Sequence, residues 1–228
     1  MSIKNSVLSL LFDKGPVARL ITSAFHLSYY RSKAWLRNTY LGYPLYQCPF
    51  DLHLYQELLF RLRPLFIIQT GVAHGGSILY FATLLDLIDP KSDAFVIGID
   101  VRLTDSAKTL KHPRIHLIEG SSTDSRTIDE IGLIVKNRVG AVILDSDHRK
   151  AHVLAEMNAY KRFVGVESYL IVEDTNVNGH PVYGSFGDGP MEAVWEFLRN
   201  DDCFVSDEDL WKKNKVSFHK HGWLKRTR

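Results

Sequence analysis

With 228 residues, 45% of them hydrophobic and 24% charged, the chain has enough apolar side chains for one well-buried domain, which excludes two substantial domains and extended disorder. A net charge of only +2 excludes the composition of a nucleic-acid-binding protein, although Lys212, Lys213, Lys215, Lys220, Lys225, Arg226 and Arg228 make the tail basic. The two cysteines, Cys48 and Cys203, give neither a disulfide framework nor metal-ligand spacing, which fits a reducing, cytoplasmic setting.

Met1 to Phe12 carries one lysine and a short apolar stretch cut off by Asp13-Lys14, without a secretory cleavage pattern, and nowhere does the sequence approach the roughly 18 uninterrupted apolar residues of a transmembrane helix. Val7, Leu8 and Leu11, then Leu20, Ile21 and Phe25, have helical spacing. Residues 1–50 therefore read as a helical N-terminal extension that closes at Gly42, Pro44 and Pro49, an arm packing on its own domain or a second subunit; membrane contact is the rival. The main domain is expected over 51–228, beginning with a helix whose apolar face is Leu52, Tyr55, Leu58, Leu59 and Leu62 and which Arg63-Pro64 ends.

Short apolar runs follow at Leu65 to Gln69, Phe95 to Ile99, Ile115 to Ile118, Ala141 to Leu144 and Tyr169 to Val172. Between them lie helical patterns at Ser77 to Ile88, Asp124 to Lys136 and His148 to Val164, with only a short piece around Ser106 to Leu110. Strands and helices in this rhythm predict right-handed βαβ units and an α/β fold with a doubly wound, mostly parallel sheet. A further helix is expected at Met191 to Arg199, then terminal strands at Phe204-Val205 and Val216 to His219, added as an antiparallel pair.

In such sheets the ligand lies beyond the carboxyl ends of the strands. Gly71-Val72-Ala73-His74-Gly75-Gly76-Ser77 sits between the first strand and its helix, where glycines let backbone approach a ligand and the helix start presents free N–H groups. The same loop could serve only the chain reversal; its glycine spacing is not that of a dinucleotide site. Asp100, ending the second strand, is placed to accept hydrogen bonds from ribose hydroxyls, or to cap a turn. Ser121 and Ser122, after the third strand, are placed to reach an adenine. Asp145 precedes Glu173-Asp174 by 28 residues, about one βαβ crossover of some 30 residues, so the two segments end adjacent strands and their carboxylates converge. Crowded carboxylates repel unless a cation sits among them, and an all-oxygen site suits Mg²⁺, Mn²⁺ or Ca²⁺; independent helix caps are the alternative. His148, three residues beyond Asp145, has the place of a general base or a helix cap. Asn176, Asn178 and His180 belong to a substrate-side loop or to a turn. No pattern of an iron triad stands apart from these acids, which argues against an oxygenase.

Ile67 to Ser77, Leu144 to His148 and Val172 to Pro181, in that order, together resemble the cephalosporin hydroxylase family; the likeness runs from about Tyr43 to Leu198 and includes Gly189 to Val194. Despite its name, that family resembles methyltransferases dependent on S-adenosylmethionine (SAM) and includes rhamnosyl O-methyltransferases. The resemblance implies a Rossmann-like SAM-dependent methyltransferase fold and Mg²⁺, or Mn²⁺, held by Asp145, Glu173 and Asp174. It further implies SAM contacts from Gln69, Gly71, Ala73, His74, Gly75, Ser77, Asp100, Ser121 and Asp147, with His148 as base beside Asp145. Gln69 departs from the acidic residue that commonly ends the first strand, yet still accepts a hydrogen bond from an amino group. The expected activity is O-methylation of a small-molecule or sugar hydroxyl by a homo-oligomer that contacts no nucleic acid. A SAM- and metal-binding protein assisting a separate hydroxylase is the alternative.

Overall fold

A computed structural model describes residues 15–136 and 138–228. The N-terminal part comprises helix α1 (Pro16–Arg31), a 3₁₀ turn (Ala34–Arg37) and a minimal hairpin of β1 (Thr39–Tyr40) and β2 (Tyr43–Pro44). Helix α2 (Pro49–Leu62) starts on a proline at its first turn and stops where Arg63 turns left-handed and donates its N–H to the Leu59 carbonyl. The boundary expected at residue 50 thus falls inside α2, and Leu45, Gln47 and Cys48 before it are buried. Of the apolar arm, Val7, Leu8 and Leu11 lie outside the described residues, while Leu20 and Ile21 are exposed.

The five expected parallel strands are present as β3 (Phe66–Thr70), β4 (Phe95–Asp100), β5 (Ile115–Glu119), β6 (Ala141–Leu144) and β7 (Tyr169–Val172). They alternate with α3 (Gly76–Ile88), α4 (Asp105–Lys108), α5 (Ser125–Val135) and α6 (Lys150–Tyr160); α7 (Pro190–Asn200), β8 (Phe204–Ser206), α8 (Glu208–Lys212) and β9 (Trp223–Arg226) complete the chain. The seven-stranded sheet has the order β5-β4-β3-β6-β7-β9-β8, with β9 antiparallel to both neighbours. The order reverses between β3 and β6, which pair in parallel from Ile67 with Ala141 to Thr70 with Leu144.

The period-two alternation of side chains gives the sheet two apolar faces. Ile67, Val96, Ile143, Ile171 and Trp223 pack against Leu54, Tyr55 and Leu58 of α2 and Ile78, Phe81 and Leu85 of α3. Ile68, Ile97, Val142, Leu170 and Val172 face Ile131 of α5, Met157 and Tyr160 of α6 and Phe197 of α7. Covered on both faces, the strands read as continuous apolar runs, which makes them legible in the sequence.

The strand expected at Val216 to His219 does not form. These residues are buried but follow a loop: the Phe218 N–H donates to Asp51 Oδ2 at 2.8 Å, Ser217 Oγ accepts from the His219 N–H and the Trp223 indole, and the pairing strand comes later, as β9. An apolar run signals burial, whereas a side-chain acceptor on α2 captures the N–H that a ladder would need. No helix among the described residues is long and apolar enough to cross a membrane.

Candidate active site

At the carboxyl ends of β3 and β6, where the strand order reverses, a cavity of about 360 Å³ opens, a size and a place suited to a cofactor. Gln69, Gly71, Ala73, Ser77, Asp100, Asp145 and Asp147 line it. Gly71 is demanded twice: its φ is +80°, and a Cβ there would stand 1.9 Å from the Asp145 carbonyl oxygen. Gln69, one residue before the end of β3, donates through Nε2 to the Gly71 carbonyl at 2.7 Å and to Ser77 Oγ at 2.8 Å. Its Oε1 is buried and unpaired, a vacant acceptor suited to an amino group. Asp100 Oδ2 accepts from the Val72 and Ala73 N–H groups at 2.9 and 3.1 Å, and Oδ1 from Arg102. The carboxylate thus holds the glycine loop as well as facing the cavity.

Three expected residues stand elsewhere. The His74 ring packs on Tyr46, Gly75 caps α3 with φ +88°, and Ser121 pairs with Thr123; none lines the cavity. Its place is taken by Ser122 and by residues that sequence reasoning missed: Pro44, Leu45, Tyr46 and Gln47 from the extension, Ser146, and His152. His152 Nε2 lies 3.2 Å from both Ser122 Oγ and Ser146 Oγ and 3.4 Å from Glu156 Oε1, and its pKa is raised chiefly by its bond to Glu156. Its i, i+4 spacing to Glu156 on α6 was a readable signal.

Beside the cavity the acids converge. Ligand atoms of Asp145, His148 and Asp174 lie within 4.8 Å of one another, with His148 Nε2 3.5 Å from Asp174 Oδ2 and 3.9 Å from Asp145 Oδ1. Burial, then the charges of Glu173 and Asp174, push Asp145 well above the usual carboxylate range. Burial raises Asp174 as well, opposed by His148. A group of acids that resist ionisation without a cation, beside an imidazole and open to the surface, fits a hard divalent ion.

Glu173 is adjacent but differently employed. Its Oε1 accepts from Tyr55 Oη at 2.6 Å and Gln47 Nε2 at 2.7 Å, and its Oε2 lies 3.5 Å from His219 Nε2. Burial raises its pKa to about 8 despite those two donors. His219 Nδ1 accepts from the Asp174 N–H, so the neutral ring carries its proton on Nε2, between Glu173 and Asp51, 3.6 Å away. This buried layer of Gln47, Asp51, Tyr55 and His219 went unread in the sequence, although Asp51 and Tyr55 share the apolar face of α2 at i, i+4 spacing. Asn178 and His180 serve as turn chemistry: Asn178 Nδ2 and His180 Nε2 both meet Glu192 Oε1 on α7, at 3.1 and 2.8 Å. The Asn176 amide is buried without a hydrogen bond.

The chain is similar to several known proteins. Residues 32–227 match the family described as Rhamnosyl O-methyltransferase/CmcI. The rhamnosyl O-methyltransferase of Mycobacterium tuberculosis is 33% identical over 205 residues, 89% of this chain and 81% of that protein. The apo structure of CmcI superposes with a TM-score of 0.63 at 24% identity, covering 85% of this chain and 77% of the other. A structure of CmcI with Mg and SAM gives 0.61 at 22% identity, covering 85% and 78%. The structural likenesses speak for a Rossmann-like methyltransferase fold, and the sequence match over nearly the whole chain decides the rest: this chain belongs to the Rhamnosyl O-methyltransferase/CmcI family.

Proposed function

We propose that this chain is a SAM-dependent O-methyltransferase that uses Mg²⁺ and acts on a hydroxyl of a sugar or another small molecule. The observation that carries this reading is the Asp145–His148–Asp174 cluster at the edge of the switch-point cavity, since Asp145 belongs to both. Family membership and the names of the relatives support it. When bound, SAM supplies an electrophilic methyl group that passes from sulfur to the acceptor oxygen, and the divalent ion supplies Lewis acidity toward that hydroxyl.

The chain's own residues do the rest. With SAM bound, Gln69 Oε1 would be free to accept from its amino group, the Gly71–Ser77 loop would hold it, and Asp100, fixed by the loop N–H groups, would bind its ribose hydroxyls. Asp145 and Asp174 would hold the cation with Glu173 behind them, and His148 would take the proton that the acceptor hydroxyl loses. No covalent enzyme intermediate is needed, so positioning accounts for much of the rate. Two unpaired cysteines fit work in a reducing, cytoplasmic compartment.

The test is methyl transfer from labelled SAM to an alkyl rhamnoside. Exhaustive EDTA treatment is expected to stop it and Mg²⁺ to restore it. Transfer that survives EDTA would make the carboxylate cluster structural.

A further inference from the structure

Helix α1 carries apolar residues on its outward face. At about 100° of turn per residue, Leu20, Ala24, Leu27 and Arg31 fall within roughly 60° of arc, one line along the helix with Ile21 beside it. The line is open to solvent: Leu20 is 70%, Ile21 53% and Leu27 37% exposed, and Ala24 is exposed as well. Phe25, His26 and Tyr29 centre on the opposite side and make the contacts with the domain. Phe25 meets Phe50 at 5.7 Å, and His26 and Tyr29 meet Phe218 at 5.3 and 5.8 Å. A helix lying on a domain ordinarily turns polar residues to water. Here two leucines and an isoleucine face outward, and among the described residues nothing covers them.

Charge singles out the same stretch. Residues 15–50 contain Arg19, Arg31, Lys33 and Arg37 and no aspartate or glutamate, so this stretch alone is more positive than the whole chain at +2. All four side chains are exposed, and among the described residues none of them has an ion pair or a hydrogen bond. By contrast Lys150, Lys161, Lys225 and Arg228 each meet a carboxylate. Arg19 stands at the start of the apolar line, Arg31 closes it, and Lys33 and Arg37 follow. The apolar line is thus flanked at both ends by uncompensated positive charge.

That combination selects the occupant. A second copy placed α1 against α1 would bring two such basic clusters together, and like charges oppose that approach. A protein groove that takes an amphipathic helix encloses it, whereas α1 is already bound along one side and offers only its outer half. A bilayer surface asks for that half alone. Its headgroup boundary receives the apolar line, its anionic phosphates meet the arginines and the lysine, and the aliphatic stems of those side chains lie along apolar surface.

We propose that α1 is an interfacial anchor that seats this protein on a lipid bilayer containing anionic phospholipid. Leu20, Ile21 and Leu27 enter the headgroup region of one leaflet, and Arg19, Arg31, Lys33 and Arg37 engage its phosphates. The chain that follows the helix supplies Pro44, Leu45, Tyr46 and Gln47 to the cofactor cavity, so the anchor and one wall of the cavity belong to a single stretch. The assignment stands on the outer face of α1 and does not depend on the reaction catalysed.

The experiment is sedimentation of the full-length protein with vesicles of phosphatidylcholine alone and of an equimolar mixture with phosphatidylglycerol, at low and high salt. Wild type is expected to sediment with the anionic vesicles, to be released as salt rises, and to stay in the supernatant with the neutral ones. Leu20→Gln combined with Ile21→Gln changes no charge and should lower the partition coefficient by about tenfold or more, the scale for withdrawing two apolar side chains. Arg31→Gln and Arg37→Gln should each lower it about fivefold, whereas Arg31→Lys should leave it near wild type. Leu20 and Ile21 are exposed, so the double variant should keep the wild-type melting temperature and affinity for S-adenosylhomocysteine. Wild type that ignores anionic vesicles, binds neutral ones equally well, or binds no better than the double glutamine variant overturns the anchor. Sedimentation velocity on the same preparations tests the second copy: an oligomer that the double variant dissociates makes this face a subunit interface, and that result also overturns the anchor.

Discussion

Glu173 shows how one carboxylate can belong to two systems. Adjacent in sequence to Asp174, it follows β7 beside the Asp145–His148–Asp174 cluster, yet Tyr55 and Gln47 both donate to its Oε1. A glutamine keeps one oxygen for those donors and removes a charge from behind the metal, so Glu173→Gln should leave the fold and SAM affinity intact. Apparent Mg²⁺ affinity is expected to fall by about 10- to 100-fold, the range for residues supporting metal ligands, with methyl transfer partly recovered at high Mg²⁺. Metal titration, SAM titration and thermal melts on one preparation check this. A wild-type metal response would make Glu173 a bystander, and joint loss of stability and SAM binding would make it a scaffold residue.

Helix α1 docks on the domain through a narrow face, on which His26 is its one fully buried side chain. The ring packs on Phe218 at 5.3 Å with both nitrogens unbonded, and burial, then the charge of Lys220, lowers its pKa from 6.5 to about 3. The folded state therefore keeps His26 neutral while the unfolded chain protonates it. The stability it contributes is whole above pH 6.5 and is lost as pH falls toward 3. His26→Leu removes two unpaired buried nitrogens and should stabilise the protein by about 1 kcal/mol at neutral pH. The variant should also lose stability less steeply below pH 6.5 than wild type. Scanning calorimetry across that interval gives the comparison, and identical slopes would remove His26 from the docking of α1. The same helix carries Tyr30, whose pKa is raised by burial and then by the charge of Asp174, so an element that read in sequence as a peripheral arm is electrostatically linked to the acids.

For the whole molecule, a cation at the proposed site would make metal binding and folding one equilibrium. Without a cation, Glu173 is raised from 4.5 to about 8, so its contribution is fully present below pH 4.5 and lost as pH rises through 8. Mg²⁺ bound at the proposed site would offset that loss. At free Mg²⁺ near 100 times its dissociation constant the gain is about 2.7 kcal/mol, or roughly 5–10 °C in melting temperature for a chain of this size. The shift should be larger at pH 8 than at pH 6; equal shifts would detach the ion from these carboxylates.

The sequence by itself determined the sheet, because strands buried on both faces appear as unbroken apolar runs, and it placed Asp100, Asp145, Glu173 and Asp174 at strand ends, because strand ends in an α/β chain recur at predictable intervals. Only the tertiary structure decided that Val216 to His219 is a loop held by Asp51, that Gln47 and Tyr55 occupy Glu173, and that the Tyr30 ring meets those of Trp35 and Tyr183. Apart from Tyr30 with Trp35, these pairings join segments far apart in the chain, and no local period records which distant donor a carboxylate will meet or which ring will face another.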